Sequence, residues 1–338
     1  MSTSPLGRRD FLQTVASAAV GLACRGDGGA ASSGEGAPPR ELLRGRTCLV
    51  TGATSGMGAI TALELARRGA TVIVAGRSGD RCAARAEAIR RDTGARVETA
   101  VADLESLDQV RGMADDVARR FERLDVLVNN AGTRLRDRAV TVDGLEKTFA
   151  VNYLSHFLLT NLLVDRLRAS GSARVVNVSS NAHASGSIDF ENLQGERHYE
   201  QIDAYARSKL ALLMFSYELS RRLRGSPVTA NAVHPGMVAT TFGDENGFVD
   251  GWLRVRIRNL VKRSWLTPEE GARSVVHAAA APDLEGVTGR YLDQGRDVPS
   301  SPASYDQAVA RRLWDVSAAL CALPGREAPP SRLVDAAD

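Results

Sequence analysis

Lysine and aromatic residues are scarce in this chain of 338 residues. Lys147, Lys209 and Lys262 are the only lysines among 43 basic residues, so the position of each lysine is informative. Aromatic residues make up 5% of the sequence, and aliphatic side chains and alanine must therefore form most of the core. The net charge of +3 is spread along the chain, which argues against a nucleic-acid-binding protein, because such proteins concentrate basic residues on one surface.

Closely spaced cysteines and long apolar runs are also lacking. The four cysteines stand at long and irregular intervals: Cys24, Cys48, Cys82 and Cys321. This spacing argues against a disulfide scaffold and a structural zinc site. His156, His183 and His234 have no ligand partners at metal-binding spacing, so no metal ion is expected. No apolar run approaches the roughly 20 residues that span a bilayer.

The first 40 residues differ in composition from the rest of the chain. Arg8 and Arg9 precede a run without charge over residues 11–24, which begins with Phe-Leu. This order is similar to a bacterial twin-arginine export signal. We therefore expect export to the periplasm or cell envelope. A chance Arg-Arg pair in an arginine-rich cytoplasmic protein is the alternative.

Residues 26–39 are rich in Gly, Ala, Ser and Pro, a composition typical of a flexible linker. We consider two ways of processing the amino-terminal segment. One is cleavage near Ala30. The other is lipidation of Cys24, although Gly21 stands where a lipoprotein signal usually has a larger aliphatic residue.

Short β-type runs alternate with helical apolar patterns along the rest of the chain. The β-type runs lie at 47–51, 71–75, 96–101, 125–129, 174–179, 228–234 and 289–292. The helical patterns include 58–68, 107–121, 145–167, 205–223 and 268–281. This alternation predicts a single three-layer α/β domain with a doubly wound parallel sheet of the Rossmann type. We expect this domain over residues 41–323, with a lid insertion near 236–266 and a flexible tail over 324–338.

A glycine-rich segment joins the first predicted strand to the first helix. Gly52 suits a tight turn, and Gly56 and Gly58 suit the close approach of a ligand and of the helix. The amides at the start of the helix would then face a pyrophosphate. A tight strand-to-helix turn without a ligand is the alternative explanation. The strand before it and the helix after it favour the dinucleotide site.

The end of the second predicted strand indicates which dinucleotide binds. An NAD-binding domain places an acid there to hold the ribose 2′-hydroxyl. This chain has Arg77 instead, which can pair with the 2′-phosphate of NADP(H). We therefore expect NADP(H) to be preferred over NAD(H). A solvated arginine is the alternative.

Tyr205 and Lys209 stand four residues apart on one predicted helix face. With six tyrosines and three lysines in the chain, this spacing rarely arises by chance. A phenol is a poor base at neutral pH, but a neighbouring ammonium and an oxidised nicotinamide both favour the phenolate. We therefore expect the pKa of Tyr205 to fall toward neutrality.

These segments together resemble the short-chain dehydrogenase/reductase family over about residues 44–320. The motifs that carry the resemblance are Thr51–Gly58, Asn129-Asn130-Ala131-Gly132, Asn152, Ser180, Tyr205 with Lys209, and His234-Pro235-Gly236. Residues 151–160, 192–195 and 312–317 are similar to the retinol dehydrogenase-like branch of that family. The resemblance implies hydride transfer between NADP(H) and a small-molecule alcohol, aldehyde or ketone.

The resemblance also implies four catalytic residues. Tyr205 would exchange a proton with the substrate oxygen, and Lys209 would lower its pKa and hold the cofactor ribose. Ser180 would polarise the carbonyl, with Ser179 as the competing serine. Asn152 would hold a water that connects Lys209 to solvent.

The implied cofactor contacts come from all along the domain. They are Gly52, Thr54, Ser55, Gly56, Met57, Gly58, Arg77, Asp103, Leu104, Asn130, Ala131, Gly132, Tyr205, Lys209, Pro235, Gly236, Val238 and Thr240. A non-catalytic NADP(H)-binding sensor or interaction protein is the alternative function, although it has no need for a complete proton relay.

The predicted lid combines aromatic, apolar and basic residues, and residues 251–265 have the pattern of a basic amphipathic helix. Such a helix can rest on a membrane surface or cap an apolar pocket, or simply pack on its own domain. An apolar, lipid-like or terpenoid substrate fits this composition. The sequence leaves peripheral membrane contact and a homo-oligomer open.

Overall fold

A computed structural model describes residues 41–238 and 265–323. These residues build one eight-stranded sheet in the order β3-β2-β1-β4-β5-β6-β7-β8. The strands are β1 (Thr47–Thr51), β2 (Thr71–Gly76), β3 (Val97–Val101), β4 (Val126–Asn129), β5 (Ala173–Val178), β6 (Val228–His234), β7 (Tyr291–Asp293) and β8 (Arg296–Asp297). The first seven are parallel, so their carboxyl ends meet at one edge of the sheet.

Helices cover both faces of this sheet. They are α1 (Gly56–Arg67), α2 (Gly79–Thr93), α3 (Leu107–Arg120), α4 (Lys147–Phe149), α5 (Ser155–Leu162), α6 (Val164–Arg168), α7 (Gln201–Arg222), α8 (Pro268–Ala280) and α9 (Gln307–Leu320). A π-helical turn (Ala150–Leu154) lies between α4 and α5, and short 3₁₀ turns include Asn181–Ser185 and Pro302–Tyr305. No helix within the described ranges is long and apolar enough to cross a membrane.

The two faces of the sheet follow from the two-residue period of a strand. Leu49 and Ile73 are fully buried against the layer that contains α3, α5, α7 and α9. The residues next to them, Cys48, Val50 and Val72, are buried against the layer of α1, α2 and α8. Parallel strands covered on both faces need apolar residues on both, and this explains their near-continuous apolar runs.

The predicted doubly wound fold is confirmed, with three differences of detail. The antiparallel edge strand β8 was not predicted, because two residues are too short for a period-two pattern. The predicted helix 145–167 is interrupted by the π-helical turn. Val238 and Leu266, at the two ends of the predicted lid, form a parallel bridge with each other, which the sequence did not indicate.

Several predictions lie outside the described residues. They are the export signal and linker over 1–40, the processing at Cys24 or Ala30, the interior of the lid over 239–264, Thr240 and the tail over 324–338.

Candidate active site

A cavity of about 430 Å³ lies at the carboxyl ends of strands β1 to β6. Open α/β sheets bind ligands at this edge, because loops and helix N-termini converge there. Its lining includes these predicted site residues: Gly52, Thr54, Ser55, Gly56, Met57, Gly58, Arg77, Asp103, Leu104, Asn130, Ala131, Gly132, Ser180, Tyr205, Lys209, Pro235, Gly236 and Val238. The fold thus gathers into one cavity every predicted cofactor-contacting residue that it describes.

The glycine-rich loop is shaped to bring backbone close to a ligand. Gly52 and Gly56 have φ angles of +66° and +53°, which favour glycine. A Cβ at Gly58 would overlap the carbonyl oxygen of Gly52 and the side-chain amide of Asn130. Ser55 caps α1 without a side-chain hydrogen bond, and the first turn of α1 contains no acidic residue. The amides at this helix start therefore suit a pyrophosphate, and the residues present fit a nicotinamide dinucleotide.

Side-chain hydrogen bonds hold the ends of β1 and β4 together beneath this loop. Thr51 Oγ1 accepts from the backbone amides of Asn130 (2.9 Å) and Ala131 (3.1 Å). The side-chain amide of Asn130 donates to the carbonyl of Thr51 at 2.9 Å. The asparagine therefore fixes the position of the loop, a role that its place at a strand end did not reveal.

Two arginines line the cavity beyond β2. Arg77 directly follows the strand and Arg81 lies in the first turn of α2, and both are exposed. Among the described lining residues, the carboxylates of Asp103 and Glu105 come after β3, and Glu105 is paired with Lys147 at 2.7 Å. Arg81 was not among the residues predicted from the sequence. A cation in a first turn opposes the helix dipole, which was the available signal.

Ser180 and Tyr205 form a hydroxyl pair at the inner end of the cavity. The side chain of Ser180 hydrogen-bonds to that of Tyr205. The hydroxyl of Ser179 instead donates to the backbone carbonyl of Lys209 at 3.0 Å. Of the two serines that the sequence offered, the fold therefore places Ser180 beside the tyrosine.

Lys209 is almost fully buried, with 3% of its surface exposed. Its ammonium donates to the carbonyl of Val178 at 2.9 Å and lies 5.7 Å from the centre of the Tyr205 ring. Burial lowers the pKa of Lys209 to about 8, because desolvation penalises the charged form. The bond to Val178 uses one of the three N–H groups of the ammonium.

Tyr205 differs from the expectation in the direction of its pKa shift. Tyr205 is only partly exposed, and its burial raises the pKa of the phenol. The Ser180 hydrogen bond and the charge of Arg134 oppose that rise. The guanidinium of Arg134 lies 5.8 Å from the centre of the Tyr205 ring. Desolvation therefore outweighs the charge of Arg134. Arg134 was not predicted from the sequence, since the residues after the Asn-Ala-Gly segment have no helical or strand pattern.

Asn152 lies in the π-helical turn and is fully buried. Its side chain accepts from the amide of Thr133 (2.7 Å) and donates to the carbonyl of Thr133 (3.0 Å) and the hydroxyl of Ser208 (2.9 Å). Both amide N–H bonds are therefore used within the protein. These contacts connect the segment after β4 to α7, and the water-holding role of Asn152 stays a prediction.

The comparisons with known proteins agree with this geometry. A family model described as short chain dehydrogenase matches residues 46–247. Human retinol dehydrogenase 13 is 43% identical over 328 residues, which cover 95% of each chain. Mouse polyprenol dehydrogenase is 46% identical over 277 residues, or 80% of this chain and 82% of its own.

Solved structures show the same fold. A protein from Mycobacterium paratuberculosis superimposes with a TM-score of 0.68 at 37% identity, covering 85% of this chain and 96% of its own. A gluconate 5-dehydrogenase from Burkholderia cenocepacia, solved with NADP and tartrate, gives 0.60 at 26% identity, covering 75% and 95%. The chain therefore belongs to the short-chain dehydrogenase/reductase family, as an oxidoreductase of its retinol dehydrogenase-like branch.

Proposed function

We propose that this protein is an NADP(H)-dependent oxidoreductase that interconverts a long-chain apolar alcohol and its carbonyl compound. The observation that supports it most is the meeting of Ser180, Tyr205 and Lys209 in the cavity that also contains the glycine-rich loop. A protein that only sensed the cofactor would have no use for this cluster of proton-exchanging groups.

The dinucleotide supplies or accepts the hydride at its nicotinamide ring when bound. Tyr205 donates a proton to the substrate oxygen in reduction and accepts it in oxidation. Ser180 donates a hydrogen bond to the same oxygen and polarises the carbonyl. Lys209 uses one N–H on Val178 and offers the others to the ribose hydroxyls. Its charge adds to that of Arg134 in favouring the phenolate during alcohol oxidation.

The preference for NADP(H) is inferred from the charges beyond β2. Arg77 and Arg81 both line the cavity there, where an NAD-specific domain would have a carboxylate. Two guanidinium groups can hold a 2′-phosphate with charge-assisted hydrogen bonds. The same charges offer little to the 2′-hydroxyl of NAD(H).

The substrate class is inferred from the relatives and from the apolar surface beside the cavity. The relatives include proteins named retinol dehydrogenase and polyprenol dehydrogenase, and both names describe long isoprenoid alcohols. Met237 is 50% exposed immediately after Pro235 and Gly236, which line the cavity. Burying an isoprenoid chain against such side chains is favourable.

The test is a steady-state assay with NADPH or NADH against retinal, a polyprenal, short aldehydes and gluconate-type polar carbonyls. We expect NADPH oxidation with the isoprenoid aldehydes, and a loss of at least about 100-fold in kcat for Tyr205→Phe. Tight NADPH binding with no turnover of any carbonyl would instead support a non-catalytic sensor. Turnover confined to polar carbonyls would overturn the substrate class.

We further propose that the protein is exported by the twin-arginine segment around Arg8 and Arg9. Fractionation of cells that express the full chain would place it in the envelope. The variant with Lys at both arginines should stay in the cytoplasm. Equal cytoplasmic distribution of both forms would refute export.

A further inference from the structure

His183 lies three residues after Ser180, inside the 3₁₀ turn Asn181–Ser185, and only 3% of its surface is exposed. Its Nδ1 lies 2.7 Å from the carbonyl oxygen of Ser180. The backbone amide of His183 donates to the same carbonyl at 3.1 Å. The side chain and the backbone amide of His183 therefore both contact the carbonyl oxygen of Ser180.

The other side of the imidazole contacts a part of the chain that is remote in sequence. His183 Nε2 accepts a hydrogen bond from the backbone amide of Ser301 at 3.2 Å. The ring also packs edge-to-face on Tyr291 of β7, with ring centres 4.8 Å apart. The imidazole thus bridges the active-site serine and the segment that follows β8.

The segment around Ser301 is itself firmly anchored. The hydroxyl of Ser300 is 2.7 Å from that of Tyr217 on α7, and the backbone amide of Ser300 donates to Tyr305 Oη at 2.9 Å. The rings of Tyr217 and Tyr305 stack with centres 5.4 Å apart. Ser301 therefore offers a fixed donor for His183.

We propose that His183 is a positioning residue for the reaction: its neutral imidazole fastens the Ser180 backbone to Ser301, and so keeps the Ser180 hydroxyl on Tyr205. This inference rests on the proposed function, because it assigns His183 a role in presenting Ser180 to the substrate oxygen. His183 acts through Ser180 and does not itself line the cavity.

Only one protonation state of His183 satisfies both partners. A carbonyl oxygen only accepts and an amide N–H only donates, so Nδ1 must carry the proton and Nε2 must be bare. Burial lowers the pKa of His183, while the hydrogen bond to the Ser180 carbonyl and the charge of Asp293 partly oppose this. The neighbouring His234 faces the same cluster. Protonation of Nε2 would place its N–H group against the N–H group of the Ser301 backbone, and two donors cannot bond to each other. In acid the hydrogen bond between His183 and Ser301 would therefore break, and the Ser180 backbone would no longer be held in place.

The decisive experiment is a double-mutant cycle with His183→Phe and Ser180→Ala. Phenylalanine keeps a ring against Tyr291 but removes both hydrogen bonds of the imidazole. We expect His183→Phe to lower kcat about 10- to 100-fold, with the KM for NADPH within about twofold of wild type. In the Ser180→Ala background the same change should cost less than about threefold, since the group it positions is gone.

Two further variants give the cycle its controls. His183→Gln retains a donor and an acceptor, so it should recover part of kcat and lose the acid limb of the wild-type pH profile, which lies below about pH 6.5. His277→Phe removes a half-exposed histidine that pairs with Asp283 at 3.3 Å, and it should keep wild-type kcat.

Several results would overturn the proposal. These are full kcat in a folded His183→Phe, an equal loss with and without the Ser180 hydroxyl, or an acid limb that His183→Gln leaves in place. If His183→Phe does not fold, the pH profile of His183→Gln decides alone. Absence of turnover in the wild type would instead contradict the proposed function, so the two failures are distinguishable.

Discussion

The ammonium of Lys209 on α7 donates a hydrogen bond to the backbone carbonyl of Val178, the last residue of β5, at 2.9 Å. Ser179 reinforces this connection, because its hydroxyl donates to the carbonyl of Lys209. Lys209 is therefore hydrogen-bonded to the end of the strand that precedes Ser180. A buried cation held by one carbonyl is costly for folding, and this cost leads to the first prediction.

Lys209→Met should stabilise the protein while it abolishes turnover. Lowering the pKa of Lys209 from 10.5 to about 8 means that the buried ammonium costs about 3 kcal/mol at neutral pH. Replacing the lysine removes this cost but also removes the hydrogen bond to Val178, which contributes about 1 kcal/mol to stability. We expect urea unfolding at pH 7 to show a net gain of about 1–3 kcal/mol. A less stable, inactive variant would mean that the lysine supports the fold.

Gly58→Ala should weaken dinucleotide binding, because the added Cβ would push the helix away from the Gly52 carbonyl and from Asn130. Titration by fluorescence should show an NADPH Kd at least about 10-fold weaker. Gly112→Ala is the matched control, since nothing lies within 4 Å of a Cβ on that exposed face of α3. The control should bind normally and gain about 0.5–1 kcal/mol of stability. Normal NADPH affinity in Gly58→Ala would contradict the site.

Replacing Arg77 and Arg81 together by alanine should remove the preference for NADP(H). Loss of two charge-assisted contacts should raise the KM for NADPH about 10- to 100-fold and leave that for NADH nearly unchanged. Arg91→Ala, at the far end of the same helix, serves as the control. An equal change in the KM for NADPH and for NADH would show that the arginines support the loop and do not bind the 2′-phosphate.

Arg134→Met should shift the pH profile of alcohol oxidation to higher pH. The guanidinium lies 5.8 Å from the centre of the Tyr205 ring and lowers the pKa of that tyrosine. Oxidation requires the phenolate, so removing the cation should move the rising limb of kcat to higher pH. Arg136→Met, an exposed arginine of the same segment, should leave the profile in place. An unshifted profile in Arg134→Met would exclude its electrostatic effect.

Acid should destabilise the protein through its buried histidines. Burial lowers the pKa of His156 to about 3, and it lowers those of His183 and His234 as well. Below about pH 6.5 the unfolded chain therefore binds more protons than the folded one. The free energy of unfolding should fall on acidification by about 1.4 kcal/mol per pH unit for each fully buried histidine.

His156→Gln should make this pH dependence shallower, whereas His198→Gln in an exposed loop should not. Urea unfolding at pH 7, 6 and 5 measures both slopes. Parallel slopes for wild type and His156→Gln would contradict the assignment.

Much of the fold was readable because local patterns and the layers of the sheet agree. The near-continuous apolar run of β1 matches a strand buried on both faces, and α3 buries the face that its apolar spacing predicts. The π-helical turn at Asn152 escaped prediction, because residues 148–160 are all buried and show no amphipathic period that an inserted residue could interrupt. β8 escaped because its pairing with β7 is set by a turn and not by burial.

Site residues were predictable where a single short segment contains the whole motif. They were unpredictable where their role depends on contacts between distant segments. The glycine loop and the Tyr205–Lys209 spacing needed only a strand, a turn and a helix. Arg134 and His183 needed the tertiary structure, because their partners stand far away in the sequence. Ser301, for example, stands 118 residues after His183.

The sequence by itself determined the doubly wound sheet and the strand ends at which the glycine loop and Ser180 lie, because apolar periodicity and glycine conformations are local properties. Only the tertiary structure decided which of two serines faces Tyr205 and in which direction the pKa of that tyrosine moves. The reason is physical. Desolvation and hydrogen bonding depend on which groups from distant segments surround a side chain, and the folded arrangement sets both.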